Sequence, residues 1–269
     1  SDYQAQFESW DFHKACRDLE EFLVNNVEVR DDQLCWNKNT GRVVRACVPV
    51  HNLGHPVRIK DIDRICQEYN IVLVEDAAES LGSYFQNQHT GLVGRAGVIS
   101  FNGNKIITTG GGGALITNDQ VLADNARHKT TTAKRAHPWL YIHDEVGYNY
   151  RLPNLNAALG CAQMSKLNRF LESKRLLADT YADWFSDREE EFVREPKHAM
   201  SNYWLNAIML RSVEERDEFL RITNDNLVMT RPMWTPMNTL LMYKSCQSGC
   251  LENAIDIEKK LVNIPSSVV

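Results

Sequence analysis

The feature that most constrains the fold is a strand, a helix and a second strand that follow one another between residues 43 and 76. Residues 43–49, VVRACVP, have the composition of a strand, and IKDIDRICQEYN, residues 59–70, places Ile59, Ile62 and Ile65 at helical spacing. IVLVED then predicts a strand whose apolar start suits burial on both faces of a sheet. A strand–helix–strand unit of this length predicts parallel strands covered by a helix, and hence an α/β fold.

Further segments extend this pattern around the central unit. Residues 14–26, KACRDLEEFLVNN, form an amphipathic helical pattern, and two more strands are expected at 96–102 and 113–119. A helix is expected to follow the last of these strands, with Asn118 or Asp119 as its N-cap. The first part of the chain therefore predicts a mostly parallel sheet with helices packed on it.

The C-terminal part of the chain begins with a long helical pattern instead of a strand–helix–strand unit. One helical pattern of around thirty residues covers 152–187, and a strand follows at 203–210. A helix is then expected at 212–222, where Ser212 and Glu215 match a capping box. These elements predict a small α+β unit joined to the sheet by a long helix.

The boundary between two domains is placed inside this long helical pattern. We expect part of a large domain over residues 1–165, and the linking helix with a smaller C-terminal domain over 166–269. Trp204 and Trp234 are expected to pack the small domain rather than to stack on a nucleotide.

Composition excludes several classes of protein. The formal net charge is −5 and basic residues form no run, which disfavours a nucleic-acid partner. No apolar run is long enough to cross a bilayer, and the first residues do not resemble a signal peptide. Seven cysteines without a CxxC pair predict reduced thiols and a cytoplasmic location. Cys246 and Cys250 lie four apart, but no histidine is near them, so a metal site is not expected.

Candidate chemistry is concentrated where strands end. Asp76 ends the strand IVLVED, and Ser100 and Lys105 belong to SFNGNKIITTGGGGALITND. Ligands of open α/β sheets bind at the carboxyl ends of strands. A lysine there can bind phosphate or form a Schiff base, an aspartate can hold a protonated pyridine nitrogen, and a serine in a tight loop can hold a phosphate. Pyridoxal 5′-phosphate (PLP) needs all three groups, although each residue alone is more commonly solvated.

Three stretches carry a family resemblance. VEDAAESLGS, SFNGNKIITTGGGGALITND and GYNYRLPNLNAALGCAQMSKL, in this order and spacing, resemble the nucleotide-sugar aminotransferases among the fold-type I PLP-dependent enzymes. The resemblance is clear over residues 48–167 and extends to about residue 264. It implies a fold-type I PLP-dependent transferase with a mostly parallel sheet in the large domain, a smaller α+β C-terminal domain, and PLP as cofactor.

The resemblance also implies individual roles. Lys105 corresponds to the Schiff-base lysine, which also moves the proton between cofactor and sugar carbons. Asp76 corresponds to the partner of the pyridine nitrogen, and Ala78 to the residue packed on the ring. Glu79 would lie at the ring hydroxyl, where many family members have Gln or His. Ser100 corresponds to a phosphate ligand.

Asn149 implies a second subunit. It corresponds to the residue that reaches the phosphate of the neighbouring subunit's cofactor, so a homodimer with shared active sites is expected. Arg151 is expected at this interface or against substrate. Two more residues are weaker candidates for substrate contact, Arg231 and His51, and a structural role in its loop is also open for His51.

The substrate is suggested by two further stretches. EVRDDQLCWNKNTGRVVRACVPVHNLGHPV and VNIPSS resemble the branch acting on UDP-linked 4-keto-6-deoxy-N-acetylhexosamines. The implied reaction moves an amino group from glutamate to C4 of the sugar, for amino sugars of surface glycans. Family members usually extend further at the N-terminus, so part of the phosphate site and an aromatic that stacks on the cofactor are expected to be missing here.

Two other functions remain open at this point. A sugar dehydratase of the same fold typically has histidine in place of the lysine, which Lys105 argues against. The chain could also be a non-catalytic fragment or a dimerising remnant, although Asp76, Ser100 and Lys105 are all retained.

Overall fold

The computed structural model describes residues 12–268, and both halves of that range contain helices and strands. The helices are α1 (Phe12–Asn26), α2 (Ile59–Glu68), α3 (Gln120–Thr130), α4 (Asn154–Met164), α5 (Leu167–Trp184), α6 (Val213–Asp225) and α7 (Glu252–Lys260). The strands are β1 (Val27–Val29), β2 (Cys35–Asn37), β3 (Ala46–Cys47), β4 (Val72–Asp76), β5 (Tyr84–Phe85), β6 (Gln88–His89), β7 (Ala96–Ser100), β8 (Gly113–Ile116), β9 (Lys134–Arg135), β10 (Ile142–His143), β11 (Glu191–Phe192), β12 (Ala199–Met200), β13 (Asn206–Met209), β14 (Arg231–Pro232) and β15 (Leu261–Ile264). Between residues 12 and 268, no helix is both long and apolar enough to cross a membrane.

A four-stranded sheet in the order β3-β4-β7-β8 forms the centre of the first half. Strands β3, β4 and β7 are parallel, and β8 runs antiparallel to β7. Helix α2 joins β3 to β4 and buries Ile59, Ile62 and Ile65 in the same core cluster as Leu73. The predicted strand–helix–strand unit is therefore confirmed, although β3 is shorter than the expected 43–49.

The second face of this sheet departs from the sequence prediction. Along β4, Leu73 and Glu75 are buried, whereas the alternate residues, including Asp76, are only half-buried. Asp76 pairs with Val98 in the next strand. Val98 lies on the same face and is 43% exposed. The prediction that β4 is buried on both faces is therefore wrong within the described part of the chain. One face of the sheet is a packed core, and the other presents Asp76 on an open surface.

The second half contains an antiparallel sheet in the order β11-β13-β15-β14. Helix α5 packs on one face through Ala178 and Ala182, which join a cluster with Ile208. The predicted single long helix is wrong, because it divides into α4 and α5 at Ser165 and Lys166. The Ser165 hydroxyl donates to the carbonyl of Ala162, which offers that carbonyl a partner outside the regular helical ladder.

Helix capping agrees with the sequence at two positions. The Asp119 carboxylate accepts a hydrogen bond from the Leu122 amide at the start of α3. Ser212 accepts from the Glu215 amide at the start of α6. The expected reciprocal bond of the capping box is not made, because the Glu215 carboxylate accepts from the backbone and side chain of Arg211 instead.

Candidate active site

Asp76 and Ser100 end two neighbouring parallel strands and lie on the same face of the sheet. The pairing of Asp76 with Val98, two residues before Ser100, fixes this arrangement, since side chains alternate between faces along a strand. Asp76 accepts a hydrogen bond from the Ala78 amide at 3.1 Å, and this bond turns the chain after the strand. The Ser100 hydroxyl accepts from the Asn102 amide at 3.2 Å and keeps its own hydrogen for donation.

The residue before Asp76 points the opposite way, into the core. Glu75 is fully buried, and its carboxylate lies 3.1 Å from Nε2 of His51. Glu75 also accepts hydrogen bonds from three backbone amides, those of Gly91, Val93 and Gly94. Burial alone would raise the pKa of Glu75, but the bonds from His51 and these amides outweigh it, so the pKa is lowered.

His51 does not reach the open face of the sheet. Its side chain is fully buried, and its two ring nitrogens face the Glu75 carboxylate and the Val57 amide, 3.1 Å away in each case. The suggested contact between His51 and substrate therefore does not fit the structure. The alternative role, in holding the loop that follows β3, fits both of these hydrogen bonds.

The loop that carries Lys105 is closed by backbone hydrogen bonds rather than being a free hairpin. The Phe101 amide donates to the Gly112 carbonyl, and the Thr109 amide donates back to the Phe101 carbonyl, both at 3.0 Å. Gly110 and Gly112 have φ values of 80° and 97°, a region that glycine adopts without the strain of a Cβ. The loop can therefore turn tightly from β7 into β8 while holding Lys105 at the sheet edge.

The Lys105 amine lies between an acid and an aromatic ring. Its Nζ is 3.7 Å from Oε1 of Glu79 and 3.8 Å from the centroid of the Trp204 ring. Burial lowers the pKa of Lys105, while the carboxylates of Glu79 and Asp76 act in the opposite direction without reversing the shift. A lysine in this environment gives up its proton more readily than an exposed lysine, as a nucleophile or proton carrier must.

Glu79 is held in place from the other side. Its Oε2 accepts a hydrogen bond from the Leu53 amide at 2.8 Å. Burial raises the pKa of the Glu79 carboxyl, and the hydrogen bond from the Leu53 amide and the positive charge of Lys105 only partly offset this. Because the pKa of Glu79 is raised and that of Lys105 is lowered, the two groups are closer to sharing one proton than an exposed pair would be.

Trp204 is a site residue that the sequence analysis did not identify. Its indole N–H donates to the Asn104 carbonyl at 2.7 Å, and its ring stacks on Trp234 with centroids 6.1 Å apart and planes 3° apart. Trp204 is buried, as expected for a packing residue, but the surface it packs against includes the Lys105 amine. No local pattern signals this contact, since the two residues lie in distant segments of the chain.

The remaining candidates lie apart from this cluster. In the described range, no hydrogen bond or ion pair joins Asn149, Arg151 or Arg231 to Asp76 or Lys105. Asn149 and Arg151 are exposed, and Asn149 pairs through its backbone with Thr131. The Arg231 guanidinium binds the Asn224 side chain at 3.1 Å and the Thr230 carbonyl at 2.9 Å. The structure brings none of the three into the site within one chain.

A cavity of about 670 Å³ lies beside the site rather than over Lys105. Its walls come from α1, α7, the turn at Asn52–Gly54 and residues 233–236, and most of the lining is apolar. Neither Asp76 nor Lys105 lines it. The cavity is therefore separate from the candidate site formed by Asp76, Ser100 and Lys105.

The donor set at the sheet edge matches the needs of PLP better than those of a metal. It offers an amine, a carboxylate at a strand end, a hydroxyl hydrogen and a small side chain, those of Lys105, Asp76, Ser100 and Ala78. Across residues 12–268, no group of three or more His, Cys, Asp or Glu side chains is arranged to hold a metal ion. Cys246 and Cys250 are both exposed.

Comparison with known proteins gives a consistent result. A family model described as the DegT/DnrJ/EryC1/StrS aminotransferase family matches residues 34–268. The chain is 37% identical over 223 residues to the GDP-perosamine synthase of Escherichia coli O157:H7, a match covering 82% of this chain and 60% of that protein. It is 35% identical over 237 residues to the putative pyridoxal phosphate-dependent aminotransferase EpsN of Bacillus subtilis strain 168, covering 85% of this chain and 60% of that one.

A third relative has a UDP-linked product in its name. The chain is 32% identical over 162 residues to the UDP-4-amino-4,6-dideoxy-N-acetyl-beta-L-altrosamine transaminase of Helicobacter pylori strain 26695, covering 58% of this chain and 42% of that enzyme. The chain spans about 60% of the length of the first two relatives.

The fold is shared with a solved structure. Helicobacter pylori PseC, an aminotransferase involved in the biosynthesis of pseudoaminic acid, superposes with a TM-score of 0.79 at 23% identity. The match covers 83% of this chain and 62% of PseC. The predicted fold, that of the fold-type I PLP-dependent transferases, is thereby confirmed.

Proposed function

Because the chain belongs to the DegT/DnrJ/EryC1/StrS aminotransferase family, as its motifs predicted, we propose that it forms the catalytic part of a PLP-dependent transaminase acting on a nucleotide-linked sugar. One observation carries this proposal. The partly buried Lys105 amine lies at the sheet edge that also presents Asp76, and it lies within 4 Å of both an acid and an aromatic ring. An exposed lysine without such partners would not support a catalytic role.

PLP, when bound, supplies an aldehyde that reacts with amines and a ring that accepts electrons. In the proposed site, Asp76 would hold the pyridine nitrogen in its protonated form, and Ser100 would help to hold the phosphate. Ala78 leaves room for the ring beside the end of β4. Lys105 would hold the cofactor and carry the proton, and its amine lies 3.7 Å from the Glu79 carboxylate.

The proposed reaction exchanges an amine for a ketone. Glutamate gives its amino group to C4 of a UDP-linked 4-keto-6-deoxy-N-acetylhexosamine and leaves as 2-oxoglutarate. The sequence stretches at 28–57 and 262–267 favour UDP, and the name of the Helicobacter pylori relative contains both UDP and a 4-amino group. The name of the Escherichia coli relative favours GDP. The 4-amino sugar would serve the synthesis of surface glycans.

A substrate comparison tests this assignment. With glutamate and PLP, we expect kcat/KM for the UDP-linked 4-keto sugar to exceed that for a GDP-linked 4-keto-6-deoxyhexose by about tenfold or more. The measurement is release of 2-oxoglutarate with mass detection of the amino sugar, and the Lys105→Arg variant is the blank. Preference for the GDP sugar would overturn the nucleotide, and activity restricted to a 3-keto sugar would overturn the position. Absence of turnover on every keto sugar would favour the non-catalytic alternative.

The partner subunit is proposed from an exposed aromatic segment, residues 139–150. Trp139 and Tyr141 are 77% and 81% exposed, and Tyr148 stacks on Tyr150 with ring centroids 5.1 Å apart. Large exposed aromatic patches mark protein interfaces. In the sequence, Asn149 stands between Tyr148 and Tyr150. A homodimer built on this segment would therefore carry Asn149 to the neighbouring site.

Removing this aromatic surface should weaken the dimer. We expect the double variant Trp139→Ser, Tyr141→Ser to shift the protein from dimer to monomer at micromolar concentration, because an exposed aromatic pair is a dominant source of interface energy. Sedimentation velocity measures the change. Leu227→Ser is the matched control, since Leu227 is 95% exposed but lies after α6. A double variant that stays dimeric, or an unaltered protein that is monomeric, would contradict the proposed interface.

The cysteines support a reducing location. All seven are free thiols. Free thiols persist most readily where they are kept reduced. They therefore support the proposed cytoplasmic location.

A further inference from the structure

The Lys105 amine faces an aromatic ring that is itself held firmly in place. Its Nζ lies 3.8 Å from the centroid of Trp204, and the Trp204 indole donates to the carbonyl of Asn104, the residue before Lys105. The Trp204 backbone amide donates to Asn202 Oδ1 at 2.8 Å, and its ring stacks on Trp234. The same indole therefore faces the amine and holds the loop that carries it.

The geometry favours the charged form of the amine over the ring. An ammonium near the centre of an indole face is attracted by the electrons of the ring, and more strongly when water is excluded. Trp204 is only 4% exposed, so little water competes for this face. The Glu79 carboxylate, 3.7 Å from the amine, completes the environment, and Asp76 is the second acid whose charge is felt at Lys105.

We propose that Trp204 is a positioning residue that, together with Glu79, holds the Lys105 ammonium at rest whenever the amine is not bonded to the cofactor. This proposal rests on the proposed function, which requires the amine to be released and to carry a proton in each catalytic cycle. Without such a place the released side chain would explore many rotamers. With it, the amine stays between Glu79 and Trp204 and keeps its proton.

The direction in which the pKa of Lys105 changes when Trp204 is replaced distinguishes this role from simple packing. Replacing Trp204 by Leu removes the electron-rich ring and keeps an apolar side chain of moderate size. If the ring stabilises the ammonium, the pKa of Lys105 should fall further, by about one unit. If Trp204 only fills space, the substitution admits water, and the pKa of Lys105 should stay the same or rise toward the ordinary value of 10.5.

The measurement uses cofactor-free protein, so it does not depend on turnover. Lysines are labelled by reductive methylation with ¹³C-formaldehyde, and the Lys105 signal is assigned by its absence in Lys105→Arg. An NMR titration then gives the pKa of Lys105 in the unaltered protein, in Trp204→Leu and in Trp204→Phe, which keeps a ring face but loses the indole N–H. We expect the pKa in Trp204→Phe to lie between the other two. Trp234→Leu is the control, because it removes the stacked ring but not the face that contacts Lys105.

The result of the NMR titration can be interpreted independently of the assays with keto sugars. A lowered pKa in Trp204→Leu supports the proposal even if no keto sugar is turned over. An unchanged or raised pKa in both Trp204 variants overturns it even if transamination is observed. Should Trp204→Leu fail to fold, Trp204→Phe alone decides by the same sign. For the active enzyme we expect the variants to lower kcat with little change in KM, since Trp204 acts on the amine and not on substrate binding.

Discussion

Replacing Lys105 by alanine is expected to abolish transamination, with a loss of at least about 10³-fold in kcat/KM. The variant lacks both the group that bonds to PLP and the group that moves the proton, and no other lysine is described beside the Lys105–Glu79 contact. The visible absorption band that PLP develops when bound to a lysine should also be missing after desalting. Both effects are read from one preparation, by absorption spectroscopy and by the release of 2-oxoglutarate.

Two controls separate chemistry from folding in this experiment. Lys105→Arg keeps a positive charge between Glu79 and Trp204 but cannot bond covalently to an aldehyde, so it should lose activity as Lys105→Ala does. Lys60→Ala removes an exposed lysine on α2, away from Lys105, and should leave both the band and the rate unchanged. Retained turnover in Lys105→Ala, or in Lys105→Arg, would contradict the role of Lys105. Equal thermal unfolding temperatures would show that the fold is unaffected.

The sequence predicted what depends on neighbouring residues. The α2 pattern, the N-caps of α3 and α6 and the placement of Asp76 and Ser100 at strand ends all arise from contacts within a few residues or from one strand–helix–strand unit. The parallel pairing of β4 with β7 then brings the two strand ends together without further information. Local patterns therefore place Asp76 and Ser100 at neighbouring strand ends, whereas their roles toward PLP were implied by the family resemblance.

Contacts between distant segments could not be predicted in this way. The approach of Trp204 to Lys105 depends on how the segment before β13 packs against the β7–β8 loop, and no local spacing encodes that. The burial of His51 against Glu75 was likewise not predicted, since a histidine after a strand is equally compatible with a crevice and with a core. The break between α4 and α5 was also missed, because the apolar pattern continues across Ser165 and Lys166.

The two adjacent acids of β4 should have different roles, Glu75 in stability and Asp76 in catalysis. Replacing Glu75 is expected to cause a large loss of stability. Glu75 points into the core and accepts hydrogen bonds from His51 and three backbone amides, whereas Asp76 faces the open side. Glu75→Gln keeps the size of the side chain but replaces one acceptor oxygen by a donor and removes the buried negative charge. Breaking a buried, fully bonded pair in this way typically costs 3–5 kcal/mol, so we expect a loss of about 3–5 kcal/mol in the free energy of unfolding.

The pH dependence of stability follows from the lowered pKa of Glu75. Its unfolded pKa is near 4.5 and its folded pKa is lower, so the ionised carboxylate stabilises the fold above about pH 4.5. That contribution is lost as the pH falls through the folded pKa. Urea unfolding of the unaltered protein should therefore show a decline in stability below pH 4.5, and Glu75→Gln should lack this part of the decline.

Asp76→Asn is the matched control, because it makes the same chemical change one residue further along the strand. Asp76 is half-buried on the other face, so we expect its free energy of unfolding to change by less than about 1 kcal/mol. Its transamination rate should fall by about a hundredfold or more, since a neutral amide cannot hold the proton on the pyridine nitrogen. A Glu75→Gln variant of normal stability would contradict the assignment of the core face. An Asp76→Asn variant of normal activity would contradict the assignment of the site, because the alternation of side chains along β4 is what separates the two functions.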